Sequence, residues 1–368
     1  MTAALPVHGP RGLPARALAW PARRLALAIG VAGTLAIILL DALVRDAPTP
    51  QGDDLIYERM ADDPTAPHTF VFAYRIAVPW LVHVLPFEHG VSFSVIAWLC
   101  SGAAGAVLFL LLERLDITRQ VSVPLAFVLV LSPPLLVASL RQGYNPDPLT
   151  VLVMITGALF IVERRPGPLA VTMLVGACNR ESALFLAPLA YAVWAQRPLD
   201  RAALVRVLAV AAPAVVAFIA LRLAIPTVGR ELVPGYGGSL IGGRIEVLGD
   251  GLRAFFDVEA RRLALIYGPL WLLAPLALRD FPFARRGLAV LAPLCLLAMS
   301  FALDWGRVAF VAAPVVYAAA AWTLHCRPRW LAPALALCAL MIFGYAAYMQ
   351  ITGTQNIIDA GLPPYPLR

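Results

Sequence analysis

The chain has 368 residues, is 61% hydrophobic and only 14% charged, and has a mean hydropathy of +0.79. That composition excludes an ordinary soluble domain, which could not solvate so much apolar surface, and indicates a polytopic membrane protein. The formal net charge is +7 and every basic residue is Arg. No polar segment carries an Arg and aromatic stripe, so the charge suits anchoring at a membrane and not nucleic acid.

Arg11, Arg16, Arg23 and Arg24 precede the first apolar run, 25–44. The run is long enough to span a bilayer and too long for a signal-peptide core, so we read it as a retained anchor. Further apolar runs predict spans near 91–113, 121–140, 148–163, 204–225, 262–278, 287–303, 308–325 and 331–350. The stretch 168–196 is ambiguous, because Asn179-Arg180-Glu181 lies at its centre and an ion pair at bilayer depth is costly. Two short arms, 168–178 and 182–196, with the triplet at the tip, remove that cost. The split also keeps the arginines of every short loop on the cytoplasmic side: Arg114/Arg119, Arg164/Arg165, Arg197/Arg201/Arg206, Arg279/Arg285/Arg286 and Arg327/Arg329.

The expected fold is therefore all-α, a polytopic transmembrane helix bundle of about eleven crossings in the inner or plasma membrane. A cytoplasmic tail (1–24) leads into one helical domain (25–350) with outer loops 45–90 and 226–261, and an outer tail (351–368) follows. In the first outer loop, Ile76 to Phe87 is weakly amphipathic and too short to cross. The second is Gly-rich and lacks the strand–helix context of a nucleotide-binding turn. Glu113, Asp116, Glu163, Asp200 and Asp280 fall inside and Asp41 within the first span. The rest of the 22 acids fall outside, so acid-based chemistry would face outward. Asp41 and Arg222 are the deepest charges expected, both near span ends. The five cysteines have no CxxC spacing and read as structural thiols, and the five histidines have no ligand spacing.

Several polar clusters mark candidate sites, each with a structural alternative. Asp53 and Asp54, with Tyr57, could share a divalent cation, with Mg or Mn the candidates, or divide the work of base and orienter; they equally suit a solvated loop. Tyr74-Arg75 stands ahead of Pro79, where the guanidinium suits a phosphate or a lipid headgroup. Asn145-Pro146-Asp147-Pro148 is turn chemistry, in which Asp147 serves a ligand or caps the next helix. Asn179, Arg180 and Glu181 form either a substrate-facing cluster or a structural pair. Asp304 and Arg307 flank Trp305-Gly306, where they clamp a ligand or pair with each other.

An outward carboxylate pair after the first span, a Tyr-Arg-x-x-x-Pro boundary, a mid-chain Arg-Glu tip and a late Asp-x-x-Arg turn resemble the GT-C superfamily of integral membrane glycosyltransferases. Asp53-Asp54-Leu55 looks like a form of that family's modified acidic DxD motif. Arg75, Arg180, Glu181, Asp304 and Arg307 are similar to a looser pattern in bacterial GT-C-like proteins of unknown role. The resemblance implies a conserved N-terminal helical module, a polyprenyl-phosphate-linked sugar donor, inverting transfer, and a glycan, lipid or protein acceptor. Asp53 or Asp54 would act as base or metal ligand. Tyr57, Tyr74, Arg75, Asp147, Asn179, Arg180, Glu181, Asp304 and Arg307 would bind substrate. Unlike larger members, this chain shows no C-terminal soluble domain. A secondary transporter, or a lipid-linked glycan polymerase or ligase of another fold, is the alternative. A transporter calls for ionisable groups at mid-membrane and a repeat, neither of which is evident.

Overall fold

The computed structural model describes residues 20–44, 53–69, 72–140, 144–228, 265–299 and 305–352. They are almost entirely helical. The first half of the chain gives α1 (Trp20–Val44), α2 (Asp53–Asp62), α3 (Ala77–Val84), α4 (His89–Arg114), α5 (Arg119–Val130), α6 (Pro133–Leu140) and α7 (Asp147–Val162). The second half gives α8 (Pro166–Asn179), α9 (Leu186–Trp194), α10 (Arg201–Ala224), α11 (Leu270–Leu273), α12 (Pro282–Met299), α13 (Trp305–Phe310), α14 (Ala313–Cys326) and α15 (Leu331–Thr352). Two strands, β1 (His68–Thr69) and β2 (Thr227–Val228), pair in parallel, with His68 opposite Thr227.

Four of these helices, within α1, α4, α10 and the 328–347 stretch, are long and apolar enough to cross a membrane. Two bent pairs raise the number to six if each pair is one span. α5 and α6 meet at 43°, because Pro133 and Pro134 have no N–H with which to continue the ladder. The segments Leu270–Ala277 and Pro282–Ala298 meet at 116°, a reversal and not a kink. Outward faces are apolar: Leu27, Leu35, Leu39 and Leu43 of α1 are each more than half exposed, as are Leu337, Leu340 and Phe343 of α15. Such surfaces suit hydrocarbon and not water.

The expected split of 168–196 appears as two short antiparallel arms. Asn179 Nδ2 donates to Pro146 O at 3.0 Å and to Thr150 Oγ1 at 2.9 Å, which fixes the end of α8 at the start of α7. Trp194 Nε1 donates to Ile161 O at 2.9 Å, which returns the end of α9 to the far end of α7. Between them Arg180 is extended (φ −160°) and a 3-10 turn, Glu181–Phe185, starts the return. Gly176 permits this fold-back, since a Cβ there would lie 2.5 Å from Ala183 Cβ and 2.6 Å from Val153 Cγ1.

The main core runs through α4, α5, α7–α10 and α11–α14, and α1 packs along α4. That α1–α4 contact is made close by small residues. A Cβ on Gly102 would meet Thr34 Oγ1 at 2.1 Å and Gly30 O at 2.6 Å, the packing by which small residues bring membrane helices together. The bundle end away from Asn179 carries Arg114 bonded to Glu163 at 2.6 Å, Arg119 to Glu113 at 3.1 Å, and Asp200 capping α10 through Ala203 N at 3.1 Å. Ion pairs thus lie at both ends of the bundle.

The segment expected as the first outer loop, 45–90, differs from expectation in its described part. The sequence reading treats Asp53 and Asp54 as loop residues, whereas they open α2, where acids complement the positive end of the helix dipole. Asp54, Tyr57, Met60 and Ala61 share its buried face, on Val78 and Val82 of α3 and Phe93 of α4. The Ile76–Phe87 piece forms α3, of eight residues. All five cysteines are free thiols; Cys326 is exposed, and Cys295 and Cys338 are buried.

Candidate functional site

The site lies at the bundle end that holds Asn179. A 3-10 turn, Phe72–Tyr74, delivers Arg75, whose N–H donates to Phe72 O at 2.8 Å. The Arg75 side chain is 9% exposed. Its Nη1 donates to Tyr57 Oη at 3.1 Å and its Nη2 reaches Glu181 Oε1 at 3.5 Å. The Phe72 ring lies 5.3 Å from the guanidinium carbon. Arg75 Nε is buried and has no hydrogen-bond partner among the described residues.

The second half of the site comes from the α7 start and the tip between the arms. Asn145 Oδ1 accepts the Asp147 N–H at 3.0 Å, the side-chain turn anticipated for an Asn-Pro-Asp-Pro run. Asp147 does not cap α7. Its carboxylate accepts from Arg180 Nη1 instead, and both side chains are largely buried. The polar triplet therefore divides its partners: Asn179 bonds to α7, Arg180 to Asp147, and Glu181 to Arg75. Asn179 Oδ1 and Ser182 Oγ are buried without a partner among the described residues. Buried polar atoms left this way are uncommon in folded proteins and call for an explanation.

A third arginine joins from α10. Arg222 lies over the Tyr74 ring at 4.5 Å and the Phe218 ring at 3.4 Å. Sequence reasoning placed Arg222 near a span end but not in the site. The available signal was the Phe218–Arg222 spacing of four, which puts both on one helix face. The β1–β2 pair lies beside this contact and ties the segment after α2 to the end of α10.

These charges act on one another. Burial pushes the Tyr57 phenol above its ordinary value, with Arg75 and Arg180 opposing and Asp147 reinforcing. Burial works against the charged form of Arg75, yet Tyr57 and Glu181 hold its guanidinium protonated above the ordinary arginine value. Burial likewise opposes the Glu181 carboxylate, and Arg75, Arg180 and Arg222 together keep it below the ordinary glutamate range. Burial and the charges of Glu58, Asp54 and Glu88 raise Tyr144, which locates Asp54 near that phenol.

Of the candidate residues, Tyr57, Arg75, Asp147, Asn179, Arg180 and Glu181 come together, and Tyr74 joins through Arg222. Asp54 is 5% exposed, one helical turn from Tyr57. Asp304 and the side chains of Asp53 and Arg307 lie outside the described residues. Among the described residues no group of three or more His, Cys, Asp or Glu gathers as a metal site. Beside the Asp147–Arg180 pair a small crevice is lined by Pro134 and Leu135 of α6, Thr150, Val151 and Met154 of α7, Phe310 of α13, and Val311. It is apolar except at its Asp147 and Thr150 wall. Compared with protein families and with curated proteins, the chain matches none, so a functional reading rests on this geometry.

Proposed function

We propose that the protein is a membrane glycosyltransferase of the GT-C kind, which transfers a sugar from a polyprenyl-phosphate donor on the outer face of the inner or plasma membrane. The observation that carries this reading is the pair of enclosed arginines, Arg75 and Arg180, held at one end of an apolar bundle, with Arg75 Nε unsatisfied among the described residues. Guanidinium groups in such a position suit a phosphate at a membrane surface. In this reading the chain crosses about eleven times, the N-terminus is cytoplasmic, and the end bearing Asp54 and Arg180 faces out. Nucleotide sugars are cytoplasmic, so an outward site needs a donor delivered on a lipid.

The reaction is an in-line displacement. The acceptor hydroxyl oxygen bonds to the anomeric carbon, the bond from that carbon to the phosphate oxygen breaks, and polyprenyl phosphate leaves with the electron pair. Asp53 or Asp54 takes the acceptor proton. Arg75 and Arg180 meet the developing phosphate charge, and Tyr57 holds Arg75. A divalent cation would be held by Asp53 and Asp54, with further ligands from the substrate phosphate or from outside the described residues.

The test is donor turnover by the full chain in nanodiscs, with a panel of polyprenyl-phosphate sugars, read as release of free polyprenyl phosphate in the presence of envelope acceptors. Asp53→Ala or Asp54→Ala should lower the rate by about 10²–10⁴-fold, the range for a general base. Wild-type turnover in both variants, each folded, rejects the carboxylate mechanism.

A further inference from the structure

A guanidinium carries five N–H donors, and its Nε and Nη2 share the edge that can bind two oxygens of one phosphate or carboxylate. In Arg75 the opposite position, Nη1, is committed to the Tyr57 hydroxyl at 3.1 Å. On the Nε–Nη2 edge, Nη2 reaches one Glu181 oxygen only at 3.5 Å, and Nε has no partner among the described residues. A carboxylate built in as a permanent partner would close that fork with both oxygens. Glu181 touches one donor at the limit of a hydrogen bond, and its side chain is 44% exposed against 9% for Arg75. It also starts a 3-10 turn at the tip between two arms, where it leads no long helix that its movement would disturb.

We propose that Glu181 is a resident counter-anion, which neutralises Arg75 while the site is empty and yields the Nε–Nη2 edge to a phosphate oxyanion. The proposal rests on reading the site as one that takes a phosphate. Three further groups favour the exchange. Arg180, although paired with Asp147, and Arg222 both add positive potential at Glu181, and that potential would serve an incoming phosphate equally. Ser182, next in the chain and 8% exposed, has a hydroxyl without a partner among the described residues, a donor suited to a phosphate oxygen. Removing the carboxylate without changing its shape therefore removes a competitor and leaves the donors in place.

The experiment measures binding of inorganic phosphate and of farnesyl phosphate to the full chain in nanodiscs by calorimetry, for wild type, Glu181→Gln, Arg75→Lys and the double variant. Glu181→Gln should bind at least one of them about tenfold more tightly, the scale of losing one charged competitor at a guanidinium. Arg75→Lys, which cannot present the planar fork, should abolish that gain. A gain for farnesyl phosphate alone supports the proposal with a lipid headgroup as ligand; a gain for both supports it with the phosphate group sufficient. Unchanged or weaker binding by folded Glu181→Gln overturns it. Should that variant not fold, Glu181→Asp, which draws the carboxylate back by one methylene, carries the test with the same expected direction and the same refuting result. Sugar transfer is measured separately. Wild-type turnover with no gain in Glu181→Gln sinks the counter-anion alone, and a gain without any turnover sinks the transferase reading alone.

Discussion

The Asp147–Arg180 pair joins the start of α7 to the tip between α8 and α9, with side chains 13% and 9% exposed. With charge centres about 4 Å apart and an effective dielectric of about 20, their gross attraction is about 4 kcal/mol. About half of that offsets the cost of drawing both charges away from water, so the pair adds about 2 kcal/mol net. Breaking it from one side is another matter. Asp147→Asn leaves an enclosed guanidinium facing a neutral amide, and Arg180→Gln leaves an enclosed carboxylate; each should cost about 3 kcal/mol. The double variant removes both charges and keeps approximate shape, and should cost about 2 kcal/mol, far below the sum of the singles. The resulting coupling is about 4 kcal/mol, above the roughly 0.5–3 kcal/mol usual for residues in direct contact. Unfolding of the four proteins by SDS titration in mixed micelles gives the cycle. Additive singles, or singles within about 0.5 kcal/mol of wild type, would show that the two charges remain hydrated and that the tip is held by Asn179 alone.

Gly102→Ala should loosen α1 from α4 and cost about 1–3 kcal/mol in the same assay; Thr34→Ala should restore only part of it, since the Gly30 carbonyl, 2.6 Å from the new Cβ, is backbone. Full restoration would mean that only the hydroxyl stands in the way. Stability should also respond to acid through Glu181. Its folded value lies below the ordinary 4.5, so its contribution is complete above that value and is lost as pH falls through the lower folded one. Glu181→Gln should flatten that part of the pH profile measured by thermal unfolding, and an unaltered profile would assign the acid response to other carboxylates.

The long helices were legible because a bilayer-length apolar run allows one backbone solution, in which every N–H and C=O is satisfied within the segment. The break at Arg180 was legible for the complementary reason: three polar residues amid apolar arms have no tolerable place at depth. The α2 helix was not. Asp53–Asp62 is short and mixed in polarity, and its helicity depends on burying Tyr57 and Met60 against α3 and α4, contacts that no local pattern announces. The site was legible as a set of residue types on one face, but its pairings were not. The structural alternative for the triplet paired Arg180 with Glu181, its neighbour in the chain, yet Arg180 pairs with Asp147 while Glu181 turns to Arg75. The Arg222 contact and the pairing of His68 with Thr227 depend on chain segments far apart, which periodicity cannot report.

The stack of Arg222 on Tyr74 sets a timetable for the protein's own synthesis. Arg75 and Tyr57 are made early, Asp147 and the Asn179–Glu181 tip in mid-chain, and Arg222 only as α10 nears completion. Contacts of such long sequence separation form late in folding. Until α10 is inserted, the growing chain holds the turn that carries Arg75 without its distal support, and β1 has no strand with which to pair. At the opposite end Arg114 and Glu163 flank helices made in close succession, but Thr118 there finds its His325 partner only when α14 is complete. Both ends of the bundle are therefore closed by helices made long after the segments they support.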